Sequence, residues 1–95
     1  MRSRPRTDSN HKAIIATLRK CGCAVQSLAA IGNGCPDLLV SKANHCCVCE
    51  VKDGDKSPSH RKLTTDQEQW IKRWKSPVMI LTSVNDAILL AGAMR

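Results

Sequence analysis

The fold class this sequence predicts is mixed α/β, with elements in the order α-β-β-β-α-β-α and a mixed sheet flanked by helices. Three features carry that prediction. Two apolar runs, 37–41 and 46–52, lie on either side of a short Ala43-Asn44 turn and read as an antiparallel hairpin. Thr64-x-x-Gln67 and Thr65-x-x-Glu68 are overlapping capping boxes, which fix the start of a helix sharply. Pro77 stops that helix and the apolar run 78–82 follows it, so the strand-helix-strand step calls for a right-handed crossover to a parallel partner.

The first helix begins near Ser9 or Asn10, either of which can cap. Ile14, Leu18 and Cys21 fall at helical spacing on one face, and Gly22 ends the helix. Residues 23–29 read as a strand and 31–34, Ile-Gly-Asn-Gly, as a turn. After the hairpin, 53–62 is polar, contains Gly54 and Pro58, and reads as a mobile loop. The second helix carries Trp70, Ile71 and Trp74 on one side, with Lys72, Arg73 and Lys75 around the rest. Ser83-x-x-Asp86 caps a terminal helix that runs through Leu89 and Leu90.

The 95 residues make one small domain, with a basic, flexible tail over 1–8. Fifteen Lys and Arg against eight Asp and Glu leave a net charge of +7, a balance that favours a polyanion, above all nucleic acid. No run approaches the roughly 20 apolar residues of a membrane span, and the basic start has no apolar region behind it, so it does not read as a signal peptide. A reducing cytoplasm is the expected compartment. The six cysteines lack the Cys-x-x-Cys spacing of zinc sites. Cys47 and Cys49 should share a strand face with Leu38 and Val40 as small hydrophobes. Neither structural zinc nor disulfides are expected, and Cys35 has no base beside it to make it a nucleophile. Trp70 and Trp74 read as core or subunit interface rather than a base-stacking surface, and His45 and His60 as surface residues.

The hairpin also carries chemistry. A turn centred on Ala43-Asn44 sets Asp37 opposite Glu50, Leu39 opposite Val48 and Ser41 opposite Cys46, whereas a three-residue loop with a bulge would shift the register by one and turn Asp37 away from Glu50. Opposed residues share a face, with Cβ atoms roughly 4.5–5.5 Å apart, and Lys52 points the same way as Glu50 by the period of two. Two carboxylates and an ammonium thus converge on one patch, which suits a hard divalent cation and a phosphate. Set against this, Asp37 after Pro36 can simply cap a turn, with Glu50 and Lys52 as solvated strand residues.

Gly34-Cys35-Pro36-Asp37, Glu50-Val51-Lys52-Asp53-Gly54 and Lys62-Leu63-Thr64-x-x-Gln67, taken with the element order, resemble the PD-(D/E)XK nuclease superfamily. More narrowly the chain looks like its VRR-NUC family of small phage and bacterial nucleases, over nearly its whole length. The resemblance implies a restriction-endonuclease-like core and Mg²⁺ or Mn²⁺ bound by Asp37, Glu50 and the Val51 carbonyl. It further implies that Lys52 orients the attacking water and stabilises the transition state, and that Gln67 sits beside the site. Many relatives place a glutamate on the first helix, where this chain has only Asp8, Asn10 and His11. Arg4, Arg6, Lys56, Arg61 and Lys62 are the expected phosphate contacts. The implied activity is metal-dependent cleavage of branched DNA, as in Holliday junction resolvases, by a homodimer with no small-molecule cofactor. Alternatives are a monomeric flap nuclease, a non-catalytic DNA-binding module on a nuclease fold, and a small zinc-stabilised interaction protein.

Overall fold

Ala43 and Asn44 adopt φ of 52° and 68°, the left-handed region that a two-residue hairpin turn requires at both central positions. That turn joins β2 (Leu38–Lys42) to β3 (His45–Val51). The register pairs Leu38 with Cys49, Leu39 with Val48, Val40 with Cys47 and Ser41 with Cys46, as the turn predicts. The protein is described by a computed structural model covering residues 10–60 and 62–95. The basic tail, Ser9 and Arg61 lie outside the described residues.

Around the hairpin the elements are α1 (His11–Lys20), β1 (Ala24–Ser27), α2 (Thr65–Arg73), β4 (Val78–Leu81) and α3 (Val84–Ala93), in the expected order. The loop after β3 holds one further 3₁₀ turn, Pro58–His60. The sheet runs β1-β2-β3-β4, with both hairpin-linked pairs antiparallel and β3-β4 parallel. β1 is shorter than the 23–29 run suggested. Leu28 N–H still donates across to the Asp37 carbonyl at 2.7 Å, one step past the last paired residues, and the turn closed by Ile31 N–H on the Leu28 carbonyl at 3.0 Å then takes the chain away from β2.

One face of the sheet carries the core. Leu38, Val40, Cys49, Val51 and Leu81 pack under Ile14 and Leu18 of α1 and Ala87, Leu90 and Ala91 of α3. Ile14, Leu18, Leu38 and Val40 are fully buried, each contributing about 1.5–3 kcal/mol relative to exposure. Cys49 lies wholly in this core and Cys47 packs against it, on the face expected. Leu90 also belongs to it, whereas Leu89 is exposed, so only Leu89 of that pair is surface. Cys21 follows the first helix as its cap residue rather than standing within it, and Gly22 at φ 93° turns the chain out.

The opposite sheet face carries Leu39, Val48 and Glu50, and across the parallel pair Ile80 stands beside Glu50. α2 reaches this face through its first turn. Its Thr64–Gln67 box is closed on both sides: Gln67 N–H donates to Thr64 Oγ1 at 3.2 Å, and Thr64 N–H to Gln67 Oε1 at 2.9 Å. No residue of α2 is buried, so Trp70 and Trp74 are not core residues of this chain. An amphipathic pattern alone does not say which of two surfaces it will cover.

Candidate active site

The site gathers at the end of the hairpin farthest from its turn. One step beyond the last paired residues, Leu38 and Cys49, come Asp37 and Glu50. Asp37 has left the ladder with β3, and its Oδ2 accepts the Val51 N–H at 2.8 Å, replacing the strand partner that β2 no longer supplies there. The carboxylate is thereby tied to the end of β3.

Glu50 is buried, at 3% exposure. A carboxylate taken from water needs partners, and Oε2 has two: Gln67 Nε2 donates to it at 2.7 Å and Lys52 Nζ lies at 3.6 Å. Glu50 and Lys52 point the same way because they are two apart on one strand, and Gln67 arrives from α2. Asp37, Glu50, Lys52 and Gln67 therefore form one group, supplied by two strand ends and a helix N-terminus.

Gly34 explains how α2 comes so close. At φ 82°, it packs against the first turn of that helix, and a Cβ there would collide with the backbone of Asp66 and Gln67. Only glycine satisfies both the left-handed conformation and the contact. The Gly34-Cys35-Pro36-Asp37 stretch thus delivers a carboxylate and also seats the helix that brings Gln67.

Asn10 departs from expectation. It occupies the cap position of α1, but its side chain makes no capping bond. Instead Nδ2 donates to the carbonyls of Lys52 at 3.1 Å and Thr82 at 3.0 Å, tying the ends of β3 and β4 together. Its Oδ1 is buried with no hydrogen-bond partner among the described residues. His11 is buried beside it. Asp8 falls outside the described residues, as do Arg4, Arg6 and Arg61, while Lys56 and Lys62 are exposed.

Cys35 adjoins the site. Burial first, then the charges of Asp37 and Glu50, push its thiol up, which disfavours the thiolate a nucleophile needs. Asp53, after Lys52, is buried, and its Oδ1 accepts the Asp55 N–H at 2.9 Å, turning the chain out of the site. Sequence reading missed that role, although an Asp two residues before a turn amide is its ordinary signal.

Among the described residues no three His, Cys, Asp or Glu side chains cluster to hold a metal. The donor set at hand is two carboxylates with the backbone carbonyl of Val51 between Glu50 and Lys52. Such a set fits Mg²⁺ or Mn²⁺, which keep several waters and complete their shell with substrate phosphate. It does not fit a structural zinc ion, which favours four nitrogen or sulfur ligands. Compared with protein-family models, with curated proteins and with solved structures, the chain matches none.

Proposed function

We propose that this protein is a metal-dependent endonuclease that hydrolyses phosphodiester bonds in DNA, with a restriction-endonuclease-like core of the VRR-NUC type. One observation carries the reading. The Pro36-Asp37 stretch, Glu50-Val51-Lys52 and Gln67, separated in sequence, are linked by two hydrogen bonds and an ion pair into one group at one end of the sheet. A solvated strand pair needs no such assembly, and a buried Glu50 is costly unless it is used.

Asp37 and Glu50, with the Val51 carbonyl, would hold Mg²⁺ or Mn²⁺. When bound, the ion supplies Lewis-acid polarisation of the phosphoryl group and a more acidic water. The chain's own residues do the rest. Gln67 fixes the Glu50 carboxylate through Oε2, so its position is set before substrate arrives. Lys52 brings a positive charge to the place where negative charge develops on phosphorus, and its side chain is only 12% exposed, so little water screens it. Lys56 and Lys62, with Arg4, Arg6 and Arg61, grip flanking phosphates, a contact that weakens as salt rises.

Branched DNA, four-way junctions above all, is the proposed substrate, and a homodimer the proposed working unit. Paired cuts in opposed strands need two sites, which two-fold assembly supplies from one chain. Val84, Ile88 and Leu89 leave an uncharged apolar face on α3 for a second copy. No helix among the described residues is long and apolar enough to cross a membrane.

The test is a panel of linear, flap and four-way DNA substrates incubated with Mg²⁺, Mn²⁺ or chelator. Divalent-dependent cleavage that is strongest on branched substrates is expected. DNA binding without cleavage under any of these conditions would instead make the protein a binding module.

A further inference from the structure

Both aromatic residues of the chain sit outside its core. Trp70 and Trp74 stack on each other along α2, ring centroids 4.5 Å apart and planes 25° from parallel. A domain of 95 residues has little apolar area to spare for its core, yet its two largest side chains lie on and at the end of a helix with no fully buried residue: Trp70 is half-buried and Trp74 is 45% exposed.

Their position is not random with respect to the site. Gln67, Trp70 and Trp74 follow at i, i+3 and i+7, which is one stripe of the helix. At the head of the stripe Gln67 bonds Glu50. At its foot Trp74 lines a hollow of about 100 Å³ with Leu39, Val48 and Pro77. Val48 precedes Glu50 by two residues on β3, so hollow and carboxylates share a sheet face about 7 Å apart along the strand. That separation is comparable to one nucleotide step of an extended strand.

Charge decides what occupies the face. Lys72, Arg73 and Lys75 are exposed around Trp74. A two-fold contact centred on Trp74 would set these three cations against the same three of a second copy, and like charges repel. A polyanion with flat aromatic bases meets both the rings and the cations.

We propose that Trp74, backed by Trp70, is a stacking platform for an unpaired nucleobase of the strand whose phosphate lies at the Asp37–Glu50 site. The enzyme then takes DNA with a splayed or single-stranded nucleotide beside the bond it cuts. The placing of that phosphate rests on the nuclease reading, and the stacking does not.

Binding measured in excess EDTA separates the two, because it reads stacking with no cleavage. The probes are a short oligothymidylate and an abasic deoxyribose-phosphate strand of equal length and charge. The oligothymidylate should quench the intrinsic tryptophan fluorescence and bind about five- to a hundredfold tighter than the abasic strand. Trp74→Ala should lower oligothymidylate affinity to the abasic level and leave abasic affinity unchanged, and Trp74→Phe should recover part of the difference. Equal affinity and equal fluorescence for the two probes on the unmodified protein would overturn the proposal without any variant having to fold. A Trp74→Ala chain that halves its mass in sedimentation while keeping the base-dependent difference would overturn it too, assigning the face to a second copy. Absence of Mg²⁺- or Mn²⁺-dependent cleavage with the base-dependent difference intact upholds the platform and removes the nuclease reading.

Discussion

The side chain of Gln67 joins helix α2 to Glu50: Nε2 donates to Glu50 Oε2 at 2.7 Å while Oε1 accepts the Thr64 N–H at 2.9 Å. Half of a capping box thus fixes the orientation of a buried carboxylate. Gln67→Ala removes both bonds, so it should destabilise the fold by about 1 kcal/mol, a fall of about 4–8 °C in Tm. Gln67→Glu keeps an acceptor for Thr64 but sets a second carboxylate against Glu50. Like charges hold a proton on the folded pair, so its pKa rises relative to the unfolded chain. Stability relative to the unmodified protein should then be greatest near about pH 5 and fall towards about pH 8. Thermal melts across that range check the sign.

On the proposed nuclease reading, Asp37→Asn, Glu50→Gln and Lys52→Ala should each lower cleavage on the order of a hundredfold or more, because each would remove a metal ligand or the charge that meets the transition state. DNA affinity in chelator and far-ultraviolet circular dichroism should stay close to those of the unmodified protein. Wild-type cutting by Glu50→Gln would sink the assignment.

Gly34→Ala should cost more than about 1 kcal/mol, since the new Cβ meets helix backbone at a left-handed φ. The damage should appear at α2 and the site before it appears in the core. Hydrogen exchange is the measure: faster exchange at the Gln67 and Val51 amides, with that of Val40 unchanged.

Alkaline pH should unfold the protein early. Burial is the first cause of raised thiol pKa values at Cys49, Cys47 and Cys23, from an ordinary 9.0. The unfolded chain therefore loses thiol protons that the folded chain retains, and stability, fully present below about pH 9, falls as pH rises through the raised values. Urea midpoints should drop between about pH 8 and about pH 10.5, and Cys49→Ala should flatten that drop relative to its own neutral-pH stability.

Leu89 is 63% exposed on α3, and, on the proposed dimer, Leu89→Glu should give a monomer without loss of helix content. Light scattering at micromolar concentration reads the mass. A monomeric starting protein would turn the reading towards a flap nuclease.

The element order and the hairpin register were legible because local signals specify them. A two-residue turn fixes which residues oppose, and a capping box fixes where a helix starts. Asp37, Glu50 and Lys52 follow from that register alone. Other features depend on where elements meet in space. Asn10 has the residue type and position of a helix cap, yet its amide serves two carbonyls separated from it by 42 and 72 residues. No local pattern encodes that preference. Trp70 and Trp74 have the spacing of a buried stripe, but the sheet's core face is already filled by α1 and α3. Leu89 and Leu90 look alike in sequence, and only the rotation of α3 sends one inward.

The Asn10 tie also has a consequence for when the site comes into being. Asp37, Glu50 and Lys52 are synthesised well before β4, and Lys52 N–H donates to the Leu81 carbonyl at 2.9 Å. The amide of Asn10 likewise waits for Thr82. Closing so long a loop is slow compared with forming a hairpin. A chain emerging from synthesis therefore carries all three charged residues before it has the strand that aligns them. The alignment of these charges is therefore completed late, when β4 docks beside β3.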